Sequence, residues 1–396
     1  MSVADWGRTR SHVLLLVAVA LVAANLRMAV TSVGSVLDLV IAGTGLTPAA
    51  GGVLTSLPVL SFALLGGLSP WLARRLGVER AIAAATALLA VALLLRVLGG
   101  PLWLMAGTFL ACTGIAAANV LVPVVVKQRF PMRVGFVTGV YTAALAGGSA
   151  LAAGLTAPLA DAAGSWRVGL GVWAVPAATA LVLWWAATRS TSARGRRARG
   201  PARVPHPTGR LWRSPRTWAL TAFFGTQSLL AYSVMGWLPA MFRDAGLSAA
   251  ASGTLLAVSI LLGVPVSFLV PSLAARRRQQ SGWAVALTAA SAAGLLGMLL
   301  APAEGAWLWV VLLGIGNGAF PLALAFFSLR SGSTDDTAWL SAVGQSIGYT
   351  LAIVGPLGVG VLRAGTDGWT APVLLLLTAM AVQAVAGAVA GRAGHV

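Results

Sequence analysis

Charge is what this sequence lacks most. Asp, Glu, Lys and Arg make up 9% of its 396 residues, where a water-soluble domain carries roughly 25%. So few charges cannot cover the surface of a soluble chain this long, and most of it must face something other than water. Acids are the scarcer sign, with nine Asp and Glu against 27 Lys and Arg. Cysteine occurs once, as Cys112, which excludes an internal disulfide and a cysteine-based metal site. Histidine occurs three times, at positions 12, 206 and 395. No His and Asp residues cluster as ligands, no nucleophile stands near a base, and no phosphate-binding loop is present. The expectation is a chain with no catalytic residues, no metal and no cofactor, and therefore not an enzyme.

What is present is apolar. Hydrophobic residues are 58% of the chain, and they fall into runs. A membrane crossing takes about 20 apolar residues. The runs read as twelve crossings: 13–38, 51–72, 80–98, 102–126, 135–160, 167–188, 217–241, 250–273, 283–301, 305–328, 338–362 and 369–391. Arg8 and Arg10 followed by Val13 to Ala24 have the look of a secretory leader, but the apolar stretch continues to Val40 and reads as the first span. Glycine and proline inside the runs suit membrane helices better than soluble ones.

The net charge of +18 would suggest nucleic acid if the basic residues formed a surface patch. Here they fill the short gaps between apolar runs. With the N-terminus placed in the cytoplasm, 22 Lys and Arg fall on the inner side and four on the outer, namely Arg96, Arg167, Arg243 and Arg363. That asymmetry, alternating loop by loop, is the positive-inside pattern. It predicts a multi-pass protein of the cytoplasmic membrane with both termini inside. The basic stretch 189–216 reads as a cytoplasmic anchor, and the expected partner is the lipid bilayer, not nucleic acid.

The chain also repeats itself. Asn119, Pro123 and Pro158 recur 198 positions later as Asn317, Pro321 and Pro356, and Gly114-Ile115 recurs 200 positions later as Gly314-Ile315. Gly52, Pro70 and Arg75 recur 201 positions later as Gly253, Pro271 and Arg276, and Gly45-Leu46-Thr47 matches Gly246-Leu247-Ser248. Single matches between Gly/Ala-rich helices mean nothing; this many at nearly equal offsets indicate duplication. The expectation is an all-α membrane protein of twelve transmembrane helices in two pseudo-symmetric six-helix bundles, 1–188 and 217–396, joined by the linker 189–216. Six spans per copy make the repeat parallel, and such repeats place the substrate near the midplane.

The stretch from Leu72 to Arg80 resembles the loop motif of the major facilitator superfamily, with Arg74 where that motif usually has Asp. Further stretches are similar to its cyanate/2-nitroimidazole transporter (CynX/NimT) branch: Asn25-Leu26-Arg27, Gly52 to Pro58, Asn119 to Pro123 with Arg129-Phe130-Pro131, Thr138 to Thr142, Phe223 to Ser228, and Trp237-Leu238-Pro239. The resemblance spans nearly the whole chain. It implies the major facilitator fold and secondary transport of a small anion or polar organic solute by alternating access, with efflux of a nitroimidazole-like compound as the alternative. It also implies a small-molecule substrate, with anions among the candidates, and a protein that works as a monomer.

Arg27 is the outstanding candidate site residue. It sits 15 residues past His12 and 11 before Asp38, near mid-membrane, where a charge costs about 3 kcal/mol or more. A guanidinium stays protonated and forms paired bonds to planar anions, so Arg27 reads as a counter-charge for substrate. The alternative is structural, with Arg27 bonded to backbone carbonyls or a buried polar partner. Asn25, Thr31, Asn119, Gln227, Tyr232 and Asn317 supply uncharged hydrogen-bonding groups on the spans that line the central cavity of the superfamily. Tyr141 and Gln345 are further lining candidates. Asn119 and Asn317 read equally well as interhelical hydrogen-bonding pairs. Arg96, in the outer part of span 3, is expected to snorkel to the interface. All nine acids fall at span ends or in loops, so no carboxylate relay within the membrane is expected.

Overall fold

The computed structural model describes residues 3–65, 69–189, 213–274, 276–332, 334–366 and 368–394. Among the described residues every regular element is helical. In hydrocarbon each backbone N–H and C=O must be satisfied within the chain, and a helix does so with its own residues. The first half carries α1 (Val3–Ser35), α2 (Leu37–Thr44), α3 (Pro48–Leu65), α4 (Ser69–Leu76), α5 (Val78–Leu98), α6 (Pro101–Arg129), α7 (Val134–Ala162), α8 (Trp166–Gly171) and α9 (Ala174–Arg189). The second carries α10 (Pro215–Asp244), α11 (Ala249–Ala274), α12 (Ser281–Leu300), α13 (Ala306–Gly316), α14 (Ala319–Leu329), α15 (Thr334–Ala352), α16 (Val354–Thr366) and α17 (Thr370–Ala390). Most of the linker 189–216, with His206, lies outside the described residues, as does His395.

Ten of the twelve expected crossings are helices long and apolar enough to span a membrane among the described residues. The other two are α3, whose apolar stretch Pro48–Leu64 is shorter, and α10, a 30-residue helix carrying Thr226, Gln227, Ser228, Tyr232 and Ser233. Several crossings are broken where the sequence reads as one run. Span 1 breaks at Val36, whose φ of -129° and ψ of 22° end α1 before α2 begins. Span 10 breaks at Asn317, between α13 and α14.

The repeat extends to geometry. Gly45 and Gly246 both adopt positive φ, 69° and 92°, which only glycine takes without steric cost. The Thr47 hydroxyl accepts from Ala50 N at 3.2 Å, and the Ser248 hydroxyl accepts from Ala251 N at 3.2 Å, so both following helices start with the same cap. Glu79 opens α5 and pairs with Arg129 at the end of α6. The positions 201 further on, Gln280 and Arg330, are also joined, the guanidinium donating to the Gln280 side-chain oxygen. Arg330 also donates to Ala390 O and Gly391 O, each at 3.0 Å. Burial lowers the pKa of this guanidinium, and the nearby positive charge of Arg216 lowers it further.

The chain packs as two compact units, Met1–Val33 with Leu64–Pro201, and Gly34–Ala63 with Ala202–Val396. In the first, α5 lies along α6, and Gly107 is pressed so closely that an added Cβ would come within 2.6 Å of the Arg96 backbone. Arg96 does not reach an interface, contrary to the expectation from its position in span 3. It is fully buried and donates to Ala29 O at 3.1 Å, to Leu170 O at 2.9 Å and to the Ser32 hydroxyl at 3.3 Å. Carbonyls inside the bundle satisfy it in place of water, which periodicity along span 3 does not reveal.

In the second unit α10 is buried along nearly its whole length. Phe223 and Phe224 pack with Phe326, Phe327, Leu322 and Trp339 in an aromatic core. The residues 34–63 pack here as well, so the packing division crosses the expected division at the linker. Small residues allow it: a Cβ at Gly34 would meet Met235 O at 2.0 Å, and Gly52 and Gly360 touch backbone to backbone. Polar contacts lock the same surface. Arg243 grips both carboxylate oxygens of Asp38 and donates to Ser35 O at 2.9 Å.

Candidate functional site

The site is built on α1, where packing leaves one side partly open. Leu16, Ala20, Ala24, Arg27 and Val30 are half-exposed, while Leu15, Ala18, Val19, Val22, Ala23, Leu26 and Ala29 are buried. That spacing of three to four residues marks a single stripe of a helix, and Arg27 is its one charged member. Other positions of α1 are committed to contacts, Thr31 among them although it lies one turn from Arg27 on the same face. Asn25 donates to Leu21 O at 2.8 Å and to Pro176 O at 3.2 Å. The Thr31 hydroxyl bonds the Ser149 hydroxyl of α7 at 2.6 Å. Ala29 and Ser32 meet Arg96.

One further candidate, Tyr141, lies near Arg27, and a second, Asn119, is bonded to Tyr141. Tyr141 of α7 donates its hydroxyl hydrogen to the side-chain oxygen of Asn119 on α6 at 2.8 Å. The Tyr141 hydroxyl also lies within electrostatic range of the Arg27 guanidinium. All three side chains are half-buried. The first unit thus groups a permanent cation, a phenol and an amide within one packed set of helices. Such a group can hold a small planar anion: the guanidinium supplies charge and paired donors, the phenol a donor or acceptor, and the amide orients the phenol.

The structure commits some expected lining residues elsewhere. Asn25 and Thr31 serve helix contacts within the first unit. In the second unit Gln227 is fully buried and its side-chain oxygen accepts from Gln383 of α17 at 2.9 Å. Gln383 also donates to the Thr288 hydroxyl of α12 at 3.1 Å. Tyr232 is buried, 4% exposed. Asn317 caps α13 and is half-buried at the break in span 10. Gln345 donates to the Ser341 hydroxyl at 2.7 Å on its own helix. Nearby Tyr349 stacks on Phe62, with ring centroids 5.4 Å apart, and meets Phe224 edge-on at 5.2 Å.

Sequence reasoning missed Arg96 as an internal residue and Ser149 as the partner of Thr31. It also missed the paired nodes Glu79–Arg129 and Gln280–Arg330, although the 201-residue offset of the repeat links them. It missed the Asp38–Arg243 pair as well. Among the described residues no group of three or more His, Cys, Asp or Glu is placed to hold a metal ion.

Many long apolar helices in a chain that repeats itself mark a polytopic membrane protein. The chain belongs to the Major Facilitator Superfamily, whose family description matches residues 16–356. Among curated relatives, the "Uncharacterized transporter YycB" of Bacillus subtilis (strain 168) is 36% identical over 381 residues, 96% of this chain and 93% of that one. The "2-nitroimidazole transporter" of Escherichia coli (strain K12) is 34% identical, covering 97% of this chain and 96% of its own. The "Cyanate transport protein CynX" of the same organism is 31% identical, covering 88% and 90%. In fold, the chain is similar to a bacterial homologue of the human lysosomal transporter Spinster in an inward-facing and occupied conformation. The TM-score is 0.76 over 96% of each chain, at 16% identity. This protein is a multi-pass membrane transporter of a small-molecule substrate.

Proposed function

We propose that this transporter carries a small planar solute rich in negative charge, an anion of the cyanate kind or a similar polar molecule, across the cytoplasmic membrane by alternating access. Arg27 is its counter-charge. The supporting observation is the grouping of Arg27 with Tyr141 and Asn119 on the open stripe of α1. In this reading Asn25, Thr31 and Gln227 hold helices together, and Tyr232, Asn317 and Gln345 are lining candidates from the second half. The relative named for cyanate transport supports the anion class.

The test is uptake of labelled cyanate and nitrite into proteoliposomes by the whole protein, beside the Arg27→Gln variant. Saturable flux that the substitution abolishes supports the reading. Equal flux from both proteins rejects it.

A second reading is export of a neutral nitroazole, favoured by 34% identity over 97% of the chain to a relative named for 2-nitroimidazole. A nitro group also presents negative oxygen density to a guanidinium, so one site could serve either class. Flux of 2-nitroimidazole by a protein that shows no saturable flux of cyanate or nitrite favours this reading.

The proposal extends to the arrangement of the chain in the membrane. Two six-helix halves, 1–188 and 217–396, flank the basic linker 189–216, both termini are cytoplasmic, the monomer is the working unit, and no catalytic step or cofactor takes part. Residue-by-residue labelling of loop cysteines from each side of the membrane tests the orientation.

A further inference from the structure

Arg96 is a cation buried in an apolar bundle, and the site described above does not use it. It lies in the last turn of α5 with no exposed surface. Its bonds go to Ala29 O, the Ser32 hydroxyl and Leu170 O, and its Nε is unpartnered. Among the described residues no ion pair joins it to a carboxylate. Burying such a group is expensive, and a well-packed apolar side chain of similar volume often serves stability as well or better. Its geometry gives a reason for it.

At about 100° per residue, Ala29 and Ser32 lie about 200° and 140° around α1 from Arg27. Arg96 therefore grips α1 on the face directly behind the one that carries Arg27. Its third bond, to Leu170 O of α8, anchors that grip to a separate helix. Asn25, about 160° from Arg27 on the other side of the turn, adds a weaker tie to Pro176 O. The Thr31–Ser149 bond ties the front of α1 to α7, and the rigid fork of Arg96, bonded to two helices, ties its back. Arg27 stands at the end of a long lever, so a turn of about 20° moves its guanidinium on the order of 2 Å. A misplacement of about 1 Å can cost on the order of 100-fold in a positioned reaction.

We propose that Arg96 is a positioning residue for transport, fixing the rotational setting of α1 so that Arg27 faces the solute beside Tyr141. The proposal rests on the reading of Arg27 as the substrate's counter-charge, but its structural part can be tested alone. The single native cysteine, Cys112, is buried and is first replaced by Ala. Cysteines are then introduced singly on the open stripe (Ala20→Cys, Ala24→Cys) and on the back of the helix (Ala18→Cys, Ala29→Cys). Their rates of reaction with a small thiol reagent are measured in the full-length protein.

With Arg96 intact, the stripe positions react at least 10-fold faster than the back positions. In Arg96→Met that contrast falls below about 3-fold, and the KM for cyanate rises 10-fold or more with a smaller change in Vmax. Arg96→Lys, which keeps the charge but cannot reach all three acceptors at once, recovers part of the contrast. It also serves as the working variant if Arg96→Met does not fold as judged by gel filtration. In an Arg27→Gln background, Arg96→Met adds no further loss, because the lever it aims is gone. An unchanged labelling contrast in both Arg96 variants overturns the proposal and leaves Arg96 as packing. If Arg27→Gln alone leaves KM unchanged while the labelling contrast still collapses, the substrate reading fails and the fixing of α1 by Arg96 stands.

Discussion

Replacing Asp38 with Asn is expected to loosen the packing of α2 and α3 against α10 and α16. The Arg243 side chain is 12% exposed and that of Asp38 38%. Arg243 has three bonds here, two to the carboxylate and one to Ser35 O. Removing the carboxylate charge leaves a mostly buried guanidinium with one strong acceptor. Breaking a fully buried pair costs about 3–5 kcal/mol. Asp38 is more than a third exposed, so water takes over part of its role and the cost falls to about 1–2 kcal/mol. That shifts the population with this surface open by roughly 5- to 30-fold. Thr55 reports on it, since it is 6% exposed and its Cβ lies against Gly236. In the Cys112→Ala background, Thr55→Cys is labelled with a membrane-impermeant maleimide. Asp38→Asn is expected to raise the labelling rate by that factor, and the charge-swapped pair Asp38→Arg with Arg243→Asp to restore part of the protection. A labelling rate unchanged by Asp38→Asn refutes the reasoning and makes the glycine contacts at Gly34 and Gly52 the whole of the seal.

The buried polar contacts bear on stability at two further places. Gln280→Glu keeps an acceptor for Arg330 but turns the amide nitrogen that donates to Ala274 O and Arg277 O into an oxygen facing two carbonyls, and is expected to cost the detergent-purified protein about 1–3 kcal/mol. Thermal melts of the two proteins check it, and an unchanged or higher melting temperature contradicts it. Gln227→Leu strands the Gln383 amide in the interior and is expected to cost about 1–3 kcal/mol. Gln227→Leu with Gln383→Leu is expected to recover most of that loss, measured by the same melts.

Much of the architecture was legible because lipid imposes one simple requirement on every crossing. Apolar length and matched residues at offsets of 198 to 201 report on it. The finer breaks were not legible. Val36 and Asn317 look like any other residues in apolar runs, and the interruption of the helix there is set by neighbours distant in sequence. Of the proposed site, Arg27 could be named because a mid-span charge is costly and therefore conspicuous. Tyr141 and Asn119 could be named as candidates one by one, but their grouping with Arg27 depends on the angular setting of three separate helices, which a linear pattern does not carry. Asn25 and Gln227 show the limit of the same reasoning. A polar residue at mid-span can face solute or a neighbouring helix, and only the packed structure distinguishes the two. Arg96 was misplaced for a related reason. Depth along a helix suggested an interface, whereas carbonyl oxygens of α1 and α8, invisible in a side-chain pattern, provide its solvation.

The central claim is that the Arg27 guanidinium holds the negative charge of the transported solute. Its most direct test is the affinity of the purified protein for cyanate, measured by titration calorimetry at low and high salt for the native chain, Arg27→Lys and Arg27→Gln. Affinity is expected to fall about 10- to 100-fold in Arg27→Gln, in line with loss of a charge-assisted bond of about 1.5–3 kcal/mol, with an intermediate value for Arg27→Lys. Equal affinities in all three proteins contradict the claim.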